Sequence, residues 1–244
     1  MFNTLFIIAA IVEIPLVALF LKFYWPDRSI KSFTTKVICS LIFVLCGIFA
    51  SQATGNDTAF ATNMIWGLVF GMAGDLLLHA LTTNMLPFIL GVVAFLIGHI
   101  FYIVAIQQAI VTAGVTTGAF LWYELLLIAA VLILAIVYCV KTNAFKRKGA
   151  MVYGLLTYGV ILATMLAKAI RCVADTYAAG SENALMVLLT IGIGAVLFFL
   201  SDASLGIILT SAKDVKRGMR IFNIETYYIA QVLLAASIFF VFSK

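Results

Sequence analysis

Long apolar stretches alternate with short polar breaks along the whole chain. Eight stretches have the roughly 20 predominantly apolar residues that a helix needs to cross a bilayer. The breaks contain the Gly, Pro, Asn, Asp and Ser residues that are typical of turns, as at Trp25–Asp27, Ala53–Asp57 and Ala179–Ser181. The pattern predicts an all-α, polytopic membrane helix bundle of about eight transmembrane helices, with residues 1–244 forming a single transmembrane helical domain. The segments are Leu5–Tyr24, Phe33–Ala50, Phe60–Ala80, Leu86–Ala109, Phe120–Val140, Met151–Ile170, Ala184–Leu209 and Thr226–Phe242.

The composition agrees with a chain that lies almost entirely in a membrane. Hydrophobic residues make up 65% of the 244 residues and charged residues only 10%, whereas a soluble protein carries about 25% charged residues. The net charge of +5 comes from short basic loops, so it indicates membrane orientation rather than nucleic-acid binding. The first segment lacks a small-residue cleavage site and is interpreted as a retained helix. The cysteines have no metal-site or CxxC spacing and are interpreted as small buried residues; they are Cys39, Cys46, Cys139 and Cys172.

The distribution of Lys and Arg predicts the orientation of the bundle. Three loops are strongly basic, at residues 25–36, 141–149 and 211–224. Because Lys and Arg concentrate in cytoplasmic loops, these loops share the cytoplasmic side only if both termini face the non-cytoplasmic side of a bacterial inner membrane or endomembrane. The two four-helix halves then run in the same direction, as a parallel four-plus-four duplication would require. The loop after the sixth segment is mixed in sign and disagrees; it contains Lys168, Arg171, Asp175 and Glu182.

Two aspartates lie inside apolar segments, Asp75 in the third and Asp202 in the seventh. A carboxylate at the centre of a membrane helix costs about 3 kcal/mol on insertion scales, so it needs a partner or a function. In the predicted orientation both residues lie in the cytoplasmic half of the bilayer. No Lys or Arg lies within a helical turn of either residue in sequence. This favours a functional pair of carboxyls over structural ion pairing.

Other polar residues are predicted at similar membrane depth. His79 follows Asp75 by four residues and shares its helix face. His99 lies near mid-membrane in the fourth segment with Tyr102 one turn further out, and we expect both to line the cavity that holds the aspartates. Each of these residues also has a structural interpretation, as a packing residue or an interhelical hydrogen-bond donor. Tyr158 lies in the inner half of the sixth segment, and the eighth begins with polar residues that include Tyr228 and Gln231.

A metal site is the most specific chemical alternative to a functional pair of carboxyls. A catalytic zinc needs three His, Cys or carboxylate ligands, which the two histidines and two aspartates would be enough to provide. The sequence has no HExxH-type spacing, however, and neither a glycine-rich phosphate loop nor a GxSxG motif. We therefore predict no metal and no other cofactor. Glu13 and Glu124 receive no role beyond pairing with a neighbour.

The polar residues at membrane depth fall in short motifs. These are Gly74-Asp75, Phe95-x-x-Gly98-His99-x-x-Tyr102 and Phe198-x-x-Ser201-Asp202, with weaker matches at Lys31-Ser32-Phe33-Thr34-Thr35, at Tyr158 with Met165, and at Tyr228 with Gln231. In this order the motifs resemble those of the YhhN-like lysoplasmalogenase family of integral membrane proteins. The family often has proline where Ser32 stands. The resemblance runs over nearly the whole chain and implies the same eight-helix layout.

The resemblance implies hydrolysis of the vinyl ether bond of lysoplasmalogens, which yields a fatty aldehyde and a glycerophospho-ethanolamine or -choline. Protonation of the β-carbon gives an oxocarbenium ion, water adds, and the hemiacetal collapses. The reaction needs a protonated carboxylic acid and a carboxylate, which glycosidases also divide between two carboxyls. Asp75 and Asp202 are the implied catalytic pair, and the sequence does not indicate which of them is the acid.

The resemblance also implies supporting roles. His99, Tyr102 and Tyr158 would orient water or the carboxyls, with Ser201, Tyr228 and Gln231 as further supporting residues. Lys31, on the predicted cytoplasmic side, would attract the substrate phosphate, as would the basic loop at 213–220. The expected partners are a lysophospholipid substrate and membrane lipids, and no oligomeric state is predicted.

A small transporter or proton-coupled carrier is the competing interpretation, because intramembrane carboxylates also bind protons and cations. Transporter folds place interrupted helices at corresponding positions of their two halves. Pro15 and Pro87 are not placed in this way, and Gly192-x-Gly194 has no counterpart in the first half. The hydrolase is therefore the favoured hypothesis.

Overall fold

The computed structural model describes residues 1–24, 29–55, 58–80, 82, 84–212 and 214–241. This part of the chain contains eight helices that are long and apolar enough to cross a membrane, which confirms the prediction of an all-α bundle and of an integral multi-pass membrane protein. In chain order they are α1 (Phe2–Tyr24), α2 (Ile30–Thr54), α3 (Ala59–Leu78), α4 (Met85–Ala113), α5 (Trp122–Lys141), α6 (Ala150–Ala178), α7 (Ala184–Thr210) and α8 (Arg217–Phe239). The turn predicted at 25–27 and residues 56–57 of the next one lie outside the described residues.

A capping box starts α2 three residues before the predicted boundary. The Ser29 hydroxyl accepts a hydrogen bond from the Ser32 backbone N–H at 3.1 Å, and the Ser32 hydroxyl accepts one from the Ser29 N–H at 2.9 Å. This reciprocal pair satisfies two backbone donors that the first turn of a helix leaves open. Lys36, which the charge pattern placed in a loop, therefore lies inside α2.

Two further helices extend beyond their predicted ends into charged sequence. α8 begins at Arg217 rather than Thr226, and α6 continues to Ala178 rather than Ile170. Hydropathy underestimates both helices because their terminal turns carry charges on one side, while the backbone remains helical. Three charged residues of the supposed mixed-sign loop, Lys168, Arg171 and Asp175, consequently lie in α6, where they form ion pairs within the protein.

These ion pairs form a buried cluster between the start of α5 and the last turns of α6. Glu124 accepts from Lys168 at 2.9 Å and from Arg171 at 3.1 Å, and Arg171 lies 3.7 Å from Asp175. The same cations hold the α4–α5 connection, since Lys168 donates to the Ala119 carbonyl and Arg171 to the Gly118 carbonyl. Glu124 thus pairs with neighbours as expected.

Three glycines on one face of α3 bring its neighbours close. The Tyr102 ring covers Gly67, the Gln231 amide lies against Gly71, and the Phe95 ring covers Gly74. A methyl group on Gly71 would stand 2.6 Å from the Gln231 nitrogen, and one on Gly74 would stand 2.5 Å from the Phe95 ring. Small residues allow such close approach between membrane helices. Their arrangement fixes the end of α3 that carries Asp75.

Candidate active site

A cavity of about 160 Å³ lies where α3 ends and α2, α4 and α8 begin. We call it the aspartate cavity, because both Asp75 and Asp202 line it. Polar groups occupy one part of its wall: Lys36, His79, Ser201, Arg220 and Asn223. The remainder is aromatic and aliphatic, with Phe20, Tyr24, Leu78, Phe88, Val92, Phe95, Leu205, Ile208, Leu209, Ile224, Tyr227 and Tyr228. The cavity therefore combines two carboxyls with a surface suited to a hydrocarbon chain.

Asp75 is held by a cation and two hydroxyl groups. Its Oδ1 lies 2.9 Å from the Lys36 Nζ. Its Oδ2 accepts hydrogen bonds from the Ser40 hydroxyl at 2.7 Å and the Tyr227 hydroxyl at 2.9 Å. The sequence lacks a nearby Lys or Arg, but the fold provides one from the adjacent helix. This set of donors suits an ionised carboxylate, so structural ion pairing, which the sequence pattern disfavoured, is present at Asp75.

Asp202 has different surroundings. The Tyr158 hydroxyl donates to its Oδ2, and the His99 Nε2 lies 3.5 Å from the same oxygen. No Lys or Arg in the described part of the chain forms an ion pair with it. The two carboxyls are close enough to interact electrostatically, yet only Asp75 has a cation beside it.

The contacts of His99 indicate which of its ring nitrogens carries a hydrogen and which one faces Asp202. The His99 Nδ1 lies 2.7 Å from the Phe95 carbonyl, which can only accept a hydrogen bond, so Nδ1 carries the hydrogen. In the neutral ring Nε2 is then an acceptor that faces a carboxyl oxygen. Two acceptors at this distance repel unless a proton lies on one of them. The arrangement therefore suits a single proton held between Asp202 and His99.

A sequence model of the YhhN family matches residues 32–238. The chain belongs to the YhhN family. This family includes lysoplasmalogenases. The matched region contains all the residues of the aspartate cavity except Phe20 and Tyr24, which come from α1. No curated protein and no solved structure matched the chain.

The supporting residues expected from the YhhN motifs divide into two groups. Ser201 and Tyr228 line the aspartate cavity directly. His99 and Tyr102 were expected to line it too, but they do not lie among its wall residues, because α4 presents Phe88, Val92 and Phe95 there instead. His99 and Tyr158 contact Asp202 without lining the cavity themselves. Tyr102 lies deeper and donates to Gln231 at 2.6 Å.

Lys31, the predicted phosphate-binding residue of this YhhN-family chain, lies away from the cavity wall. Its Nζ is 5.9 Å from the centre of the Phe23 ring, on the opposite side of the first α2 turn from Lys36. The cations that do line the cavity are Lys36 and Arg220. Because α2 starts early, residues 31 and 36 lie on one helix and point in different directions, so Lys31 is not among the residues that line the cavity.

The sequence did not assign four contributors to the site: Lys36, Ser40, Tyr227 and Asn223. Arg220 was expected only as part of the basic loop at 213–220. Lys36 and Ser40 are four residues apart and share a helix face, a signal that was available once α2 was extended to Ile30. Arg220, Asn223 and Tyr227 likewise share one face of α8, but only when that helix begins at Arg217. Asn223 bonds the carbonyl of Ser201 at 2.8 Å and thereby fixes the turn before Asp202.

His79 caps the end of α3. Within the described part of the chain, its side chain forms no hydrogen bond with the carboxyl of Asp75 or Asp202. Its Nε2 lies 2.9 Å from the Ser32 hydroxyl, and its ring lies 5.6 Å from the rings of Phe20 and Tyr24. Among the residues that the structure describes, no group of three or more His, Cys, Asp or Glu side chains is arranged to hold a metal ion.

Proposed function

We propose that this YhhN-family protein is a lysoplasmalogenase, a membrane hydrolase that cleaves the vinyl ether bond of a lysoplasmalogen. The products are a fatty aldehyde and a glycerophospho-ethanolamine or -choline. The observation that carries the proposal is the difference between two carboxyls on one cavity. Asp75 is paired with Lys36, whereas Asp202 faces an acceptor nitrogen of His99 and forms no ion pair with a Lys or Arg of the described residues.

Asp202 is the proposed acid. Its proton adds to the β-carbon of the vinyl ether, forming a C–H bond with the electrons of the double bond and leaving an oxocarbenium ion. The Tyr158 hydroxyl and the His99 ring stabilise the carboxylate that remains. A positioned proton donor of this kind contributes about 10²–10⁴-fold to the rate.

Asp75 is the proposed base. Its carboxylate stabilises the oxocarbenium ion and takes a proton from the water that attacks the cationic carbon. The resulting hemiacetal collapses when its hydroxyl returns a proton to Asp202 and Asp75 protonates the departing glycerol oxygen. One water is consumed, the ether C–O bond is broken, and both carboxyls regain their starting protonation.

The walls of the aspartate cavity suit the two ends of a lysolipid. The apolar side chains from α4 and α7, among them Phe88, Val92 and Leu205, would bury the alkenyl chain at about 0.8 kcal/mol per methylene. Arg220 lines the polar part, and a guanidinium binds phosphate through paired hydrogen bonds. Arg220 thus replaces Lys31 as the proposed phosphate-binding residue.

The proposed orientation has both termini on the non-cytoplasmic side. It rests on the basic residues Lys146, Arg217 and Arg220, which lie at the end of the bundle that holds the aspartate cavity. The substrate would then enter from the cytoplasmic leaflet.

The direct experiment is product detection. Purified protein in detergent is given a vinyl-ether lysolipid, and the released aldehyde is trapped and quantified. The matched control is the saturated alkyl-ether lysolipid, which has no double bond to protonate and should remain intact. Aldehyde release that Asp202→Asn removes would support the proposal. A lack of release from every headgroup variant would reject it in favour of a carrier or lipid-binding role.

A further inference from the structure

A second cavity, of about 490 Å³, lies between α1 and α8. We call it the lateral groove and define it by residues 10–21 of α1 and 225–233 of α8. Along α1 it extends for about 16 Å at the rise of an α-helix. Ile14 and Ile229 at its rim are 72% and 52% exposed, so it opens toward the surrounding lipid. Its walls are almost entirely apolar.

Glu13 is a buried acidic residue in this wall. It is 3% exposed, and neither of its carboxyl oxygens has a hydrogen-bond partner in the described structure. An ionised carboxylate without a partner in such surroundings would cost many kcal/mol, so the neutral acid is the compatible form. A neutral carboxyl carries an O–H donor, and leaving a buried donor unpaired is itself unfavourable. The expected pairing of Glu13 with a neighbour is therefore not found.

The position of Glu13 limits the ligand that would pair with it. It lies near the middle of α1, a depth that a charged headgroup does not reach without a large desolvation cost. Glu225, exposed at the other end of the groove, would repel the phosphate of a phospholipid. A fitting occupant is a neutral hydrocarbon chain that carries one oxygen acceptor.

Tyr228 joins the groove to the proposed chemistry. Its side chain lines both the lateral groove and the aspartate cavity. The proposed reaction turns a charged lysolipid, which stays at the membrane interface, into a neutral fatty aldehyde, which can move to mid-membrane depth. We propose that the lateral groove binds a neutral long-chain carbonyl compound through a hydrogen bond from Glu13, and that it receives the aldehyde product. The delivery of the aldehyde product to the groove rests on the proposed function, whereas the binding of a carbonyl compound does not.

Photo-crosslinking tests the binding without requiring turnover. The probe is a long-chain methyl ketone with a diazirine on its chain, which has the carbonyl of the aldehyde but does not condense with lysine. It is added to the full-length protein in phosphatidylcholine nanodiscs, and cross-linked residues are mapped by mass spectrometry. A hydrocarbon diazirine without the carbonyl is the matched probe. We expect the ketone to label α1 and α8 along the groove more than the hydrocarbon does.

Three variants distinguish the effect of the Glu13 hydrogen bond on labelling from the effect of apolar packing in the lateral groove. Glu13→Gln keeps an N–H donor and should retain labelling, whereas Glu13→Leu should lose about tenfold, the usual worth of one buried hydrogen bond. Ile7→Leu, at an exposed position of α1 outside the groove, should behave as the wild type. Equal labelling of Glu13→Leu and wild type, or equal labelling by both probes, would overturn the proposal. Aldehyde release is measured on the same samples: labelling without turnover leaves the groove as a carbonyl site and rejects only its role for a product.

Discussion

Lys36 and Asp75 form an ion pair between α2 and α3, with 2.9 Å between Nζ and Oδ1. The pair lies in the wall of the aspartate cavity, and no Lys or Arg in the part of the chain that the structure describes forms an ion pair with Asp202 in the same wall. Two identical side chains are thereby placed in unlike electrostatic surroundings. Enzymes that divide acid and base work between two carboxyls depend on a difference of this kind.

Replacing either aspartate by asparagine should remove catalysis while leaving the shape of the side chain. We expect Asp75→Asn and Asp202→Asn each to lower aldehyde release by a factor of about a hundred or more. Affinity for the lysolipid should change less, because the hydrocarbon chain supplies most of it. Turnover and binding are measured separately, with Asp214→Asn in an exposed loop as the control. Normal turnover in either of the first two variants would remove that residue from the mechanism.

The Lys36–Asp75 pair should show coupled effects on stability. Lys36→Met leaves the Asp75 carboxylate without its cation, and breaking a buried ion pair costs about 3–5 kcal/mol. The double variant Lys36→Met/Asp75→Asn removes both charges and should recover most of that loss without recovering activity. Thermal unfolding in detergent reports the stability. Additive losses in the double variant would show that the two side chains are not energetically coupled.

Tyr158 should act on turnover through Asp202. Tyr158→Phe removes the hydroxyl that donates to the Asp202 carboxyl. A hydrogen bond to a charged group is worth about 1.5–3 kcal/mol, so we expect kcat to fall about tenfold to a hundredfold, with KM little changed. Tyr153→Phe, on the exposed side of the same helix, provides the comparison. A change confined to KM would instead assign Tyr158 to substrate binding.

Chelators should have no effect on aldehyde release. The Asp75 oxygens are occupied by Lys36, Ser40 and Tyr227, which leaves this carboxylate poorly suited to bind zinc. The test is activity before and after EDTA, followed by addition of zinc. Loss with EDTA and recovery with zinc would replace the acid–base mechanism by a metal-dependent one.

The membrane orientation can be tested by labelling single introduced cysteines. Lys146→Cys and Glu182→Cys are at exposed positions in different connections, and the native cysteines are all buried. A membrane-impermeant thiol reagent applied to intact cells should label position 182 and not position 146. Labelling of both positions, or of position 146 alone, would contradict the proposed topology.

The eight helices and the choice of Asp75 and Asp202 as candidates could be predicted because both depend on local sequence. Apolar length defines a membrane segment, and a carboxyl inside one stands out on its own. Lys36 and Tyr227 could not be assigned to Asp75 in this way, since they come from other helices and their contacts depend on three-dimensional packing. Arg220 was expected only as part of a basic loop, because hydropathy began α8 too late, at Thr226 instead of Arg217.

The charge cluster of Glu124, Lys168 and Arg171 has a consequence for how the bundle comes apart. Of the residues in α5, only Glu124 and Cys139 are buried, and apolar side chains gain little by leaving lipid for another helix. Attachment of α5 therefore depends on a few charged contacts at one end, so this helix should separate from α6 before the other helices separate from each other. A separated helix keeps its backbone hydrogen bonds in lipid, so the first change would be the loss of α5–α6 contacts while the helices around the aspartate cavity remained packed.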